Sequence, residues 1–392
     1  LRSISHPDCK AYLTSPCLGH AIMPPTEGRT SSHTTPFDSI VPRRSTIDPL
    51  SQAAIGAAAA QSFQGTRKVR YGFCVGALAG MAPDLDVLIR SSHDPLLFLE
   101  YHRQFTHSLF FIPVGALICA LAFYPVTRRA LSFRETWILS ALGYATHGLL
   151  DACTTYGTLL LWPFSQERFA WHNVSVIDPL LTLPLLALVI LAAVKRRPRL
   201  AMLGLGWAVS YLLVGVLQHH RALSAAEALV TERGHAPSRL EVKPSFANVL
   251  VWKSIYELKG HYHVDAIRVG WETRVYQGGT IEKLDLSRHF PWLSPSTQQA
   301  RDVARFRWFS DDWLAIDATD PSVIVDARFS QLPQSTEGLW GIGLDQQRGD
   351  HEPIAWITNR QTSSRDLATF YALLTGRDVA ITPPQQASES LR

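Results

Sequence analysis

Five long apolar stretches decide what this chain can fold into. They run over about residues 71–89, 107–125, 135–152, 178–194 and 199–218. At about 1.5 Å of rise per residue, each crosses or nearly crosses roughly 30 Å of hydrocarbon. No water reaches backbone N–H and C=O groups at that depth, so each stretch has to be helical, with its hydrogen bonds made internally. The second, fourth and fifth are almost free of ionisable groups, whereas the first and third carry charges. The overall hydrophobic content of 46% hides a contrast, because residues 222–392 have the composition of an ordinary soluble domain.

Charges in the connecting loops orient the path. Arg67, Lys68 and Arg70 precede the first stretch; Arg128, Arg129 and Arg134 separate the second and third; Lys195, Arg196, Arg197 and Arg199 separate the fourth and fifth. Placing all three loops in the cytoplasm satisfies the positive-inside rule with one alternating path. That path leaves the N-terminus cytoplasmic and everything after residue 218 outside. A net charge of 37 − 33 = +4 with no basic block argues against nucleic acid as a partner. Cys9, Cys17, Cys74, Cys119 and Cys153 are odd in number and lack zinc-finger spacing, which excludes a disulfide scaffold.

The expected architecture is a mainly α membrane protein: a bundle of about five transmembrane helices followed by a small β-rich (α+β) extracytoplasmic domain. Residues 1–46, rich in Ser, Thr and Pro, read as a disordered tail or a non-native extension. Residues 47–220 form the membrane-embedded part and 221–392 the soluble part. Before the first stretch, DPLSQAAIGAAAAQSF (48–63) reads as a small-residue helix with Asp48 as N-cap and Pro49 at its first position. Strands are expected at 261–269, 273–277, 322–329 and 353–358, and a late helix at 364–375.

The informative residues are ionisable groups in or beside the apolar stretches. Asp84 and Asp86 lie in APDLDVLI; His102, Arg103 and His107 in YHRQFTHS; His147 and Asp151 in ATHGLLDACTTYG; Asp178 opens the fourth stretch, after a loop carrying His172. On the path above, all of them fall at the outer face, although they come from four different helices. An ionisable side chain in hydrocarbon costs about 2.5–3.5 kcal/mol even on lenient scales, so one shared site is more economical than separate accidents.

The residue types point to a metal. His147 and Asp151, four apart on a helix, project from one face and offer an imidazole nitrogen and a carboxylate oxygen together. Pro83 interrupts the helix and can turn Asp84 and Asp86 inward. A His/Asp set without Cys suits Zn²⁺ best, with Mn²⁺ or Fe²⁺ as alternatives. A metal would supply hydroxide at neutral pH, and Arg103 could stabilise an oxyanion or hold a phosphate. Thr106, Thr154 and Thr155 are candidates for orienting the ligands. Each residue also has a plainer role open to it: His147 with Asp151 as a structural pair, Asp178 as a helix cap, His102 and His107 as interfacial groups.

These segments resemble the bacterial inner-membrane-bound metal-dependent hydrolases of YdjM-like type. The matching stretches are DPLSQAAIGAAAA (48–60), PDLD (83–86), HRQFTHS (102–108), HGLLDACTTYGT (147–158), WPF (162–164) and IDP (177–179). The soluble part looks like the extension of a long subgroup. The resemblance implies a metallohydrolase, distantly related to the zinc-dependent phospholipase C and P1-nuclease helical fold. It also implies Asp84 or Asp86, His107, His147 and Asp151 as metal ligands, with His102 and His172 as additions. Gln52 and Gln61 stand where many members carry His or Glu. Gln is a poor metal ligand, so one ion of a multinuclear site is expected to be missing.

The resulting expectation is a membrane-bound hydrolase. Metal-bound hydroxide would attack a phosphoester or ester of a lipid-like substrate, assisted by Arg103 and His102, with Asp84, Asp86, His107, His147, Asp151 and His172 as the metal-binding set. The rival expectation is a non-enzymatic membrane protein with a structural metal or polar cluster and a C-terminal binding module. A transporter with an Asp/His proton relay ranks last, because the inner halves of the second, fourth and fifth stretches are apolar.

Overall fold

A computed structural model describes residues 49–379 of the chain. The tail read over 1–46, and Asp48 as an N-cap, lie outside the described residues. The N-terminal part is helical: α1 (Pro49–Ser62), α2 (Val69–Met81), the short α3 (Leu97–Tyr101), α4 (Ile112–Thr127), α5 (Phe133–Ala152), α6 (Pro179–Lys195) and α7 (Pro198–Glu232).

Two helical stretches among the described residues are long and apolar enough to cross a membrane, Leu109–Thr127 and Pro198–Glu232; α6 is apolar but shorter. The first apolar stretch is cut by Pro83, so α2 ends at Met81 and a 3-10 turn, Ala82–Leu88, comes next. In the opposite sense, α7 runs through residue 220 without a break, and its 35 residues span roughly 50 Å, well beyond the fifth apolar stretch. Asp178 caps α6: its carboxylate accepts from the backbone N–H groups of Leu180 and Leu181 and from the Tyr211 hydroxyl.

Helix α1 does not stand apart from the bundle. It lies inside it, with most of its residues buried, including Gln52 and Gln61. Close backbone approach makes this packing. A Cβ on Gly76 would strike the Gly56 carbonyl oxygen, one on Gly80 would come within 2.7 Å of the Gln52 carbonyl oxygen, and one on Gly143 within 2.9 Å of the Gly76 Cα. Gly72, Gly76 and Gly80 recur every four residues, so α2 presents a smooth groove to α1 and α5. The pairing of 52 with 80 and 56 with 76 makes α1 antiparallel to α2, so Pro49 starts at the end of the bundle where α2 finishes. The loop charges alone place the chain start at the opposite end. The sequence does not reveal this, because 14 residues of mostly Ala, Gly and Ser are too short and too weakly apolar to register as a membrane segment.

The basic loops gather at the other end. Lys68 pairs with Glu135 at 2.5 Å, and Arg70 donates to the Ala193 carbonyl. Every acidic and imidazole group singled out above, His172 included, sits toward the end where α2 and α5 finish and α6 begins.

The C-terminal part holds two four-stranded antiparallel sheets in simple sequence order: β1 (Arg239–Pro244), β2 (Val251–Leu258), β3 (His261–Val269) and β4 (Thr273–Glu282), then β5 (Leu314–Ile316), β6 (Val323–Asp326), β7 (Trp340–Gly343) and β8 (Ala355–Thr358). Between the sheets come α8 (Leu286–His289) and α9 (Gln298–Phe309), and α10 (Ser364–Thr375) ends the described chain. The four strands expected from alternation appear as β3, β4, β6 and β8, and the late helix as α10. Strands β1, β2, β5 and β7 and helix α9 were not anticipated. Strands β2, β5 and β7 are buried almost throughout, so they carry no apolar–polar alternation to read.

This part is seated on the end of the bundle that carries the ionisable groups. Gln218 on α7 donates to the carbonyls of Val249 and Val269. Leu96 and Leu99 share one core with Phe290, Phe306, Trp340 and Ile342, and Arg305 on α9 bonds both Asp94 and Glu100.

Candidate metal centre

Four elements deliver the site. Pro83 breaks α2 and starts the 3-10 turn that carries Asp84 and Asp86. The chain then returns through a turn, Phe105–His107, which lies directly on α5 because Gly148 has no side chain; a Cβ there would strike the His107 carbonyl oxygen. His147 and Asp151 come one turn apart on α5, and α1 brings Gln52.

Asp84, His107, His147 and Asp151 each offer a ligand atom, and these atoms all lie within 4.8 Å of one another. The Nε2 atoms of His107 and His147 are 3.0 Å apart. Asp84 Oδ1 lies 3.2 Å from His147 Nε2 and 3.5 Å from His107 Nε2. Asp151 Oδ2 lies 3.3 Å from His107 Nε2 and 3.7 Å from His147 Nε2. Ligands about 2.1 Å from a tetrahedral zinc stand roughly 3.4 Å apart, so the donors already have the spacing of a four-coordinate site.

The hydrogen bonds behind the imidazoles decide which atoms face the cluster. His147 Nδ1 lies 2.5 Å from the Gly80 carbonyl, so Nδ1 donates there and Nε2 faces the cluster. Thr106 donates its hydroxyl to Asp86 Oδ2, so it accepts from His107 Nδ1 at 2.9 Å, and His107 Nε2 faces the cluster in turn. Both Nε2 atoms therefore point together beside two carboxylates, where each can give a lone pair to a metal. Both oxygens of Asp84, and Oδ2 of Asp151, are buried without a hydrogen-bond partner. Electron-rich atoms held this close are costly until a cation lies among them, and a divalent ion fits the donor set.

Asp86 stands behind this set. Its Oδ1 meets His102 Nδ1 at 2.8 Å, and its Oδ2 takes the Thr106 hydroxyl and the Arg103 backbone N–H. With His102 and His107 it forms a second group of metal-ligand type; its bonds hold His102 directly and reach His107 through Thr106. Replacing Asp86 with Asn should weaken metal affinity about 10- to 100-fold while leaving all four donors in place; competition against a chelator of known strength reads this directly. An unchanged affinity would assign Asp86 to the backbone turn alone.

Arg103 is buried, with Nε 3.2 Å from Asp151 Oδ2 and Nη1 donating to Thr154. Its φ of 65° holds the turn in a left-handed conformation, at a cost of roughly 1–2 kcal/mol. His102 keeps 21% of its side chain exposed. Burial holds its imidazole below the ordinary range, against the pull of Asp86.

His172 does not join the cluster. Its Nε2 lies 3.3 Å from Lys243 Nζ, and burial together with that ammonium keeps it well below its usual pKa. Gln61 also turns away, donating to the Val189 carbonyl. Gln52 does reach the site, donating to Asp151 Oδ1 at 3.0 Å. Gly80 is the functional group that sequence reasoning missed, and a backbone carbonyl leaves no trace in residue type.

A helical protein with membrane-length apolar segments and a buried His/Asp cluster able to hold a metal ion is the class these observations define. Residues 47–222 match the model of the YdjM inner membrane protein family. Over that segment the chain is similar to the YdjM-like family. It is 35% identical over 105 residues to the inner membrane protein YbcI of Escherichia coli K12, covering 26% of this chain and 60% of YbcI. It is 27% identical over 149 residues to the uncharacterized protein YfhP of Bacillus subtilis 168, covering 38% of this chain and 45% of YfhP. The match thus spans less than two thirds of either relative. No solved structure is significantly similar to the chain.

Proposed function

We propose that the protein is a metal-dependent hydrolase of the bacterial inner membrane, acting on a phosphoester or ester of a lipid-like substrate. The observation that carries this reading is the convergence of two imidazole Nε2 atoms with three carboxylate oxygens that lack a hydrogen-bond partner, beside the buried cation Arg103. In this reading Asp84, His107, His147 and Asp151 hold the ion, with zinc as the best fit to the donors. Once bound, the ion would lower the pKa of a water from 15.7 toward roughly 7.

The chain's own residues do the rest. Asp86 and the Gly80 carbonyl fix both imidazoles, and Gln52 steadies Asp151. Arg103 faces negative charge as it develops on the substrate. His102 spends Nδ1 on Asp86, which leaves Nε2 to take up or hand on a proton. The bundle crosses the bilayer about five times in this reading, with the basic loops cytoplasmic and the β-rich part periplasmic. The helices α2 and α5 are then held by their neighbours rather than by their own hydropathy.

Full-length protein in detergent, loaded with Zn²⁺ or Mn²⁺, should hydrolyse bis(p-nitrophenyl) phosphate or p-nitrophenyl butyrate. A chelator should abolish the reaction, and His102→Gln should slow it about 10²- to 10⁴-fold. Tightly retained metal without turnover on either ester would replace this reading with that of a structural metal.

A further inference from the structure

The seam between the 153–178 loop and the β-rich part holds a cation with no acid opposite it. Arg168 Nη2 donates to the carbonyls of Tyr156 and Gly157 at 3.2 and 3.0 Å. Its Nε and Nη1 are sealed from solvent and have no hydrogen-bond partner. The loop is shaped around this side chain. Gly157 adopts φ +84°, and a Cβ there would sit 2.9 Å from the Arg168 Cβ and 3.3 Å from its Nε. Backbone bonds between Thr158 and Phe169 close the turn from both sides.

The surroundings add further positive charge. The guanidinium lies 5.1 Å from the ring centres of both Trp308 and Phe309 on α9. Arg328 reaches the same Phe309 ring, and Arg103 lies over the Tyr156 ring at 5.3 Å. Arg328 is matched by Asp326, and Arg103 by Asp151, but Arg168 faces carbonyls and rings only. Burial, then the charges of Arg328 and Arg103, pushes Arg168 down to about 9. Two aromatic faces and two carbonyls recover part of the cost of burying a guanidinium, but they leave its remaining N–H groups unused.

We propose that this seam is an anion subsite, in which Arg168, flanked by Arg103 and Arg328, receives a phosphate or phosphoryl-ester group. Arginine is the side chain suited to that geometry. That the anion belongs to the substrate rests on the hydrolase reading, since Arg103 links the seam to Asp151 in the metal cluster. A lipid headgroup and a soluble phosphate monoester present the same chemistry.

The test uses full-length protein stripped with chelator, so that phosphate has no metal to bind. Inorganic phosphate is titrated and read by thermal shift, with chloride as the ionic-strength control. The wild type should show a saturable rise in Tm, Arg168→Met should need at least ten times more phosphate, and the exposed Arg288→Met should match the wild type. If the methionine variant fails to fold, Arg168→Lys serves; it keeps the charge, loses the Nε donor and should bind several-fold more weakly. In nanodiscs, displacement of phosphate by phosphatidic acid but not phosphatidylcholine would assign the subsite to a lipid headgroup. Failure of both lipids to compete, with the phosphate response intact, would assign it to a soluble ester. Equal phosphate affinity in wild type and Arg168 variants, or no response in the wild type, overturns the proposal. Metal-dependent turnover with no phosphate response would sink the subsite alone, and a phosphate response without metal binding would sink the hydrolase alone.

Discussion

His147→Ala should strip the protein of its divalent metal. Wild-type protein equilibrated with Zn²⁺ should retain about one equivalent after desalting, and the variant essentially none. The substitution removes one of two imidazoles from a four-donor set and leaves the Gly80 carbonyl unpaired. Losing a group that only orients a ligand typically costs 10- to 100-fold, so losing the ligand itself should exceed about 100-fold. Stability provides a second readout. A ligand held at about 1,000 times its Kd adds roughly 4 kcal/mol to the folded state, so chelation should lower Tm in the wild type and leave the variant unmoved. The bare loss of packing is separated by His147→Gln, which fills the same space with a weaker donor. Full metal retention in both variants would remove His147 from the site and the cluster reading with it.

The second large effect is expected far from any ionisable group. Gly76→Val should destabilise the bundle by about 3 kcal/mol or more, because its Cβ meets the Gly56 carbonyl oxygen and comes within 2.5 Å of the Ala60 Cβ. Backbone cannot rotate away as a side chain can, so α1 and α2 must part. That movement would carry Gly80 off His147 and Gln52 off Asp151, so metal affinity should fall along with stability. Gly206, with nothing within 4 Å of an added Cβ, is the matched control, and Gly206→Ala should be nearly silent. Chemical denaturation in detergent, combined with metal titration, measures both quantities. A stable Gly76→Val protein would mean that the close approach of the three helices does not set the site's geometry.

Most of the side chains that meet in the cluster were legible in residue types and spacing. His147 and Asp151 declare themselves by helical spacing, and Asp84, Asp86, His102, Arg103 and His107 by being ionisable beside apolar helices. Depth did the grouping: groups from separate segments at one end of a bundle meet because there is little else there for them to pair with. His172 satisfied the same test of depth and yet lies beside Lys243, since depth fixes a level but not a position around the axis. The division of labour between Asp84 and Asp86 was equally hidden. Two residues apart on a 3-10 turn, one faces the imidazole nitrogens and the other their supporting bonds, and the turn depends on where Pro83 lets the chain bend.

Local chemistry was enough to specify the helical character of the described residues up to about 220 and the β-rich character of the C-terminal part. It was also enough to separate basic from acidic groups at opposite ends and to supply the metal-ligand residue types. All of these depend on composition, period or charge within one segment. Tertiary structure alone decided that α1 enters the bundle, that the Gly80 carbonyl meets His147, that Gln52 but not Gln61 reaches the cluster, and that Arg168 is left uncompensated at the seam. Each of these requires two distant backbones to approach within a few ångströms, and a glycine or a carbonyl that permits this looks the same in a sequence as one that does not.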